Sequence, residues 1–157
     1  MIRTILFVCT GNVCRSPMAQ ALFNAQAQRA GEADQLIAES AGTWAPDGQP
    51  ASSNAVIAMN KRGLDLSQHR ARTITRAMLE QAAAIMVMTK NHAEALCSEF
   101  PNYRNKIHLM SELQARAFDI ADPYGSSLAE YESTAQELEK LIDTGYAQIK
   151  TWVFTAP

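Results

Sequence analysis

The chain lacks a dominant charge: 14 Lys and Arg against 16 Asp and Glu leave a net of −2. That balance excludes a general basic surface for nucleic acid or an anionic membrane. No apolar run approaches the roughly 18 residues that cross a bilayer. The opening run, Ile2 to Val8, is too short for a signal-peptide core, and no small-residue cleavage site follows it. Cysteine is scarce, with three residues at positions 9, 14 and 97. Without clustered histidine that spacing excludes structural zinc, and no metal or other cofactor is expected. Without an export signal, the same thiols point to a reducing cytoplasm rather than a disulfide framework. Neither G-x-x-x-x-G-K-[ST] nor G-x-G-x-x-G is present, so the common nucleotide loops are absent. Repeats, low-complexity tracts and linkers are missing too. One domain spanning 1–157 is expected, long enough for a real core.

What the chain does have is Cys9-Thr10-Gly11-Asn12-Val13-Cys14-Arg15-Ser16, set between an apolar run and a helix opened by Ser16-Pro17. Backbone N–H groups from Thr10, Gly11, Asn12, Val13, Cys14 and Arg15 can form a concave nest for an oxyanion, with Gly11 letting the chain curl. The helix that follows adds its positive end, which favours both a bound phosphate and an ionised Cys9. Arg15 can clamp two phosphate oxygens with its planar fork. Cys9 then reads as a nucleophile that attacks phosphorus and forms a cysteinyl-phosphate. Ser16 is placed either to hydrogen-bond the sulfur or to cap the helix, and one hydroxyl can do both. A leaving oxygen needs a proton. Asp122, in Ala121-Asp122-Pro123-Tyr124-Gly125, is the best donor, although an isolated Asp-Pro would by default only start a turn. Thiolate below and protonated acid above predict a bell-shaped pH profile.

Short apolar runs recur at Ile2–Val8, Leu36–Ala38, Ala84–Met88 and Ile107–Met110, as in a parallel sheet covered on both faces. Between them lie helical patterns. Met18, Leu22 and Ala25 share a face that stops at Gly31. Ala55, Val56 and Met59 form a second helix ending at Gly63. Thr75 caps a short third helix, and 91–100 makes a fourth before Pro101. The last helix runs from near Ser127 to about Trp152, its stripe made by Leu128, Tyr131, Leu138, Leu141, Ile142 and Ile149. The expectation is an α/β fold: a single four-stranded parallel sheet with helices on both faces. Its phosphate loop lies between the first strand and first helix, at the carboxyl end of the strands. Cys97 is expected in the core; His92 and His108 are read as structural.

The chain closely resembles the low-molecular-weight protein tyrosine phosphatases of bacterial type. The motifs that carry the resemblance are C-T-G-N-V-C-R-S-P-M-A at 9–19, E-S-A-G-T at 39–43, M-T-K-N-H at 88–92 and A-D-P-Y-G at 121–125. The resemblance implies that Asp122 is the general acid and later the base that activates water. It implies that Asn12, Ser40 and His69 hold the phosphate loop in shape, with Ser16 among the supporting residues. It supports Cys14 as a redox partner that captures an oxidised Cys9 in a disulfide, where the residue alone could equally be a small packed side chain. Trp44 and Tyr124 become aromatic rims of a slot for a phosphorylated side chain. The expected partner is a phosphorylated protein, with a tyrosine kinase upstream, and the chain is expected to act as a monomer.

One feature departs from the usual family pattern. Tyr124 is followed by Gly125 and Ser126, similar to the branch containing bacterial protein-arginine phosphatases. In that branch position 13 resembles a threonine, whereas Val13 offers an apolar wall better suited to a phenyl ring. Phosphotyrosine is therefore the expected substrate and phosphoarginine the alternative. Two other classes remain as rivals. A thiol-dependent arsenate reductase needs further relay cysteines, and the 80–92 stretch has none. A noncatalytic phosphopeptide binder needs neither nucleophile nor acid.

Overall fold

Each of the four apolar runs forms a strand, and all four pair in parallel. The computed structural model describes residues 1–155, so the last two positions of the 1–157 unit lie outside the described residues. β1 (Arg3–Cys9), β2 (Leu36–Gly42), β3 (Ala82–Val87) and β4 (Ile107–Leu109) stand in the order β2-β1-β3-β4. Central β1 is covered on both faces, which is why its sequence is continuously apolar rather than alternating. Ile5 and Phe7 enter one core, shared with α1 (Arg15–Arg29), α2 (Ser53–Asn60) and α5 (Leu128–Thr155). Leu6 and Val8 enter the other, covered by α3 (Arg76–Gln81) and α4 (Lys90–Glu99) through Leu79 and Leu96.

Helix boundaries follow local chemistry. Thr75 caps α3 by accepting the Met78 N–H at 3.2 Å. Gly31 and Gly63 take the left-handed conformation just past α1 and α2. Several expectations need correction. Ser16 does not cap α1: the N-cap is Cys14, without a side-chain cap, and Ser16 is buried within the first turn. β2 runs four residues beyond Ala38, because its far end is buried beside β1 even though Glu39 and Ser40 interrupt the apolar pattern. Met110 belongs not to a strand but to a 3₁₀ turn, Met110–Gln114, and a second such turn covers Pro101–Lys106. Cys97 is only half-buried, not core. On α5, Leu128 is half-buried, while Thr134, Ala135, Gly145, Tyr146 and Val153 join the buried stripe.

In this strand order the chain passes from β1 to β2 on one side and then crosses back past β1 to β3 on the other. The crevice at the carboxyl ends of β1 and β3 is thus the usual ligand position of such a sheet. Cys9 ends β1 there, paired in register with Gly42 of β2. Among the described residues, no helix is long and apolar enough to cross a membrane.

Candidate active site

From Cys9 the chain curls through residues 10–14 into α1. The residue that takes the left-handed backbone is Asn12, at φ 56°. Asparagine tolerates that region better than most side chains, and here its own side chain fixes it. Fully buried, Asn12 donates from Nδ2 to Ser16 Oγ (2.8 Å) and to Ser40 Oγ (3.0 Å), and its Oδ1 accepts the Arg72 N–H (3.0 Å). Its carbonyl accepts from His69 Nε2 at 2.7 Å. Because a carbonyl cannot donate, His69 must carry its proton on Nε2. Burial lowers that ring's pKa and favours the neutral form. Ser40 passes its own proton to Gln20 Oε1 at 2.6 Å. Gln20 and Arg72 thus complete the scaffold, and sequence reasoning missed both.

The sulfur of Cys9 is buried and lies at the end of this network. The Asn12 N–H points to Cys9 Sγ at 3.3 Å, and Ser16 Oγ lies 2.9 Å from it. Ser16 Oγ accepts from Asn12, and its one hydroxyl hydrogen has two acceptors within reach, the sulfur at 2.9 Å and the Ala41 carbonyl at 3.5 Å, of which the sulfur is the nearer. Ser16 therefore sits in contact with the Cys9 sulfur rather than in the capping role.

Arg15 is 4% exposed and held across the cleft. Its Nη1 donates to the Ile120 carbonyl at 2.9 Å, and Nη2 lies 3.5 Å from Asp122 Oδ2. Its Nε is buried and, among the described residues, has no hydrogen-bond partner. One edge of the guanidinium is tied to the scaffold, and the Nε–Nη2 edge is left as a two-pronged donor. A buried N–H left unpaired costs about 1–3 kcal/mol, and an oxyanion in the cleft would satisfy this one. Asp122 is half-exposed, and its Oδ1 accepts the Tyr124 N–H at 3.1 Å. It both starts a turn and faces Arg15.

Two further anchors grip the loop. On the α2–α5 side, Ser52 donates its N–H to the Val13 carbonyl at 2.9 Å. Cys14 Sγ lies 3.2 Å from both Ser52 Oγ and Tyr131 Oη. Burial pushes the Cys14 thiol up, against the opposing effect of those hydrogen bonds, and burial pushes Tyr131 up to about 12. On the α4 side, His92 Nε2 lies 2.8 Å from Thr10 Oγ1. The sequence reading gave neither Ser52 nor His92 a place at the site.

Above Cys9 opens a cavity of about 700 Å³, walled by Val13, Trp44, Pro46, Pro50 and Tyr124. Trp44 is 83% exposed and Tyr124 67%, so both stand at its mouth. The Trp44 N–H donates to the Thr10 carbonyl at 3.0 Å, which ties that rim to the loop itself. Among the described residues no cluster of His, Cys, Asp and Glu could hold a metal ion.

Comparison with known proteins adds independent findings. Residues 4–152 match the family described as low molecular weight phosphotyrosine protein phosphatase. A protein-arginine-phosphatase of Bacillus subtilis is 37% identical over 93% of this chain and 96% of its own. A probable low molecular weight protein-tyrosine-phosphatase of Ralstonia nicotianae is 35% identical over 96% of this chain and 98% of its own. The crystal structure of a low molecular weight protein tyrosine phosphatase from T. tengcongensis superposes with a TM-score of 0.89. It is 42% identical and aligns over 93% of this chain and 99% of that one.

Proposed function

The chain belongs to the low-molecular-weight phosphotyrosine protein phosphatases, a family of hydrolases, and we propose that it removes phosphate from tyrosine side chains of proteins. The observation that carries this reading is the convergence of buried Cys9 and Arg15 with Asp122 on one cavity, where Arg15 Nη2 lies 3.5 Å from the Asp122 carboxylate. Cys9 attacks phosphorus while the loop amides and Arg15 stabilise the equatorial oxygens. Asp122 gives its proton to the departing phenoxide, then takes one from the water that opens the cysteinyl-phosphate. Val13, Trp44 and Tyr124 supply an apolar path for a ring.

A second reading, phosphoarginine hydrolysis, is favoured by the similarity to the Bacillus subtilis enzyme and by the single aromatic at Tyr124. Peptides carrying phosphotyrosine, phosphoarginine or phosphoserine, assayed side by side with Cys9→Ser as the control, decide between them. Tyrosine turnover should dominate, and Val13→Thr should raise the arginine-to-tyrosine ratio. A dominant phosphoserine activity would contradict the slot altogether.

Cys14 supports a redox role for the same loop. Peroxide converts the Cys9 thiolate to a sulfenic acid; the Cys14 thiol then displaces its oxygen as water and forms the disulfide. Peroxide inactivation should be reversed by dithiothreitol in the parent and become irreversible in Cys14→Ser. Three free thiols fit a reducing cytoplasm, where a tyrosine kinase would supply the substrate.

A further inference from the structure

We propose that His92 is a positioning residue of the phosphate loop, its Nε2–H holding the Thr10 side chain against the N-terminus of α4. The tautomer follows from the hydrogen bonds. The Thr89 N–H donates to His92 Nδ1 at 3.2 Å, so Nδ1 carries no proton. The proton is on Nε2 and is donated to Thr10 Oγ1 at 2.8 Å. In return Thr89 Oγ1 accepts the His92 N–H at 3.1 Å, which closes a capping box at the head of α4. A residue serving only as a helix cap needs Nδ1 alone. The bond from Nε2 crosses 82 positions of sequence to the first residue after the nucleophile.

Three further observations agree. His92 is 6% exposed, and burial, reinforced by Arg15, keeps the ring neutral against the opposing pull of Asp119 and Asp122. Only the singly protonated ring can accept from Thr89 and donate to Thr10 together. The same helix head also carries the acid segment. Lys90 donates its N–H to Asp119 Oδ1 at 2.8 Å, and the Ile120 N–H reaches the Met88 carbonyl at 2.9 Å. The Ile120 carbonyl in turn holds Arg15. Through His92 the first amide of the cradle joins the frame that positions Arg15 and Asp122. Thr10 is then held from two sides, by its main chain to Trp44 and by its side chain to α4.

The inference rests on the phosphatase reading, and its test separates the two. Asn at 92 keeps an acceptor near the place of Nδ1 but falls short of Thr10. Gln reaches further, with an amide N–H for Thr10 and an oxygen suited to the capping box. Thr10→Val removes only the acceptor and leaves the backbone N–H in the loop. His92→Asn and Thr10→Val should each lower kcat/KM on an aryl phosphate about tenfold, less than the ~10²-fold that a full 1 Å misplacement costs. The inhibition constant of inorganic phosphate should rise in parallel. The double variant should be no worse than the poorer single one, and His92→Gln should recover most of the loss. Parent-like kinetics in His92→Asn, losses that multiply, or no recovery in His92→Gln would each overturn the role. Should His92→Asn not fold, Thr10→Val decides: parent-like kinetics there also overturn it. A parent without aryl phosphatase activity would refute the phosphatase reading instead. Calorimetric titration with inorganic phosphate then tests the cradle alone, and equal affinity in parent and Thr10→Val overturns the role of His92.

Discussion

Gly42→Ala should damage the active site more than the fold. A Cβ on Gly42 would lie 2.4 Å from the Thr10 carbonyl oxygen and 3.1 Å from the Asn12 nitrogen, both backbone atoms of the phosphate loop. The Thr10 carbonyl cannot yield freely, since it accepts the Trp44 N–H. Nor can Gly42, whose N–H and carbonyl bond Arg72 and Ile74 at 2.9 Å each. Reaching ordinary contact requires the loop and β2 to part by about 1 Å, an overpacking that costs roughly 1–3 kcal/mol. The stiffer unfolded chain returns about 0.4–1 kcal/mol, leaving a net destabilisation near 1–2 kcal/mol. That amounts to a fall of some 3–6 °C in Tm for a chain of this size. The same displacement moves the first amides of the cradle, and a 1 Å misplacement costs about 10²-fold in rate. The assay pairs urea unfolding with kcat/KM on an aryl phosphate. Gly145→Ala is the control: its Cβ would press on Leu113 side-chain atoms at 2.7–3.0 Å, in the packing of α5 on the 3₁₀ turn. That variant should lose stability while staying within about twofold of parent activity. A folded Gly42→Ala with parent-like kcat/KM, or an equal loss in Gly145→Ala, would refute the reasoning.

Three other outcomes are expected. Asp122→Asn should lower kcat by about 10²–10⁴-fold and abolish the limb of the pH profile that reports the acid, read with a poor phenoxide leaving group; an unchanged bell would remove Asp122 from the chemistry. Asn12→Ala forfeits two donated bonds and one accepted, and puts a side chain without local hydrogen bonding at φ 56°. At about 1 kcal/mol for each bond and for the backbone, it should destabilise by roughly 4 kcal/mol in urea, and a loss under 1 kcal/mol would contradict the network. Acid should destabilise the fold through His92, whose pKa burial lowers to about 4 from an ordinary 6.5. Between those values the unfolded chain binds more protons, so stability is complete above about pH 6.5 and declines as pH falls toward 4, by about 2 kcal/mol once solvent screening is allowed for. Tm followed from pH 7 to 4.5 should drop less steeply in His92→Asn, and identical slopes would count against the assignment.

The loop was legible because its chemistry is local: cysteine, amides and arginine lie within seven consecutive residues, between an apolar run and a helix start. The centre of the sheet was legible because β1 and β3, buried on both faces, read as unbroken apolar runs. Legibility failed where burial and polarity part company. Glu39 and Ser40 hid the far half of β2, yet Ser40 is buried there because Asn12 and Gln20 use its hydroxyl. Gln20 follows Ser16 by four positions, one helical turn along the face that meets the loop, but a glutamine on a helix ordinarily means solvent. His92 left one usable trace, three residues after Thr89 at the end of an apolar run, the spacing of a capping box. Its second bond, to Thr10, depends on where β1 and β3 place their ends and is invisible in any local window.

The same division explains why the loop needs so many distant supports. Asn12 sits in a backbone region that costs about 1–2 kcal/mol, and Arg15 buries a charge with an N–H unanswered. Neither is stable on local terms, and a loop free to relax would relieve both. Relaxation is blocked because three loop residues are held by different elements: Thr10 by α4 and the 44 segment, Asn12 by β2 and residues 69–72, and Val13 by Ser52 at the head of α2. Such over-determination lets unfavourable conformations persist at a site. Among the described residues, the Arg15 Nε is left over as a donor beside the cavity, where a phosphate dianion would satisfy it. The same short loop therefore carries both the bonds that tie it to the fold and the Arg15 donor that faces the cavity.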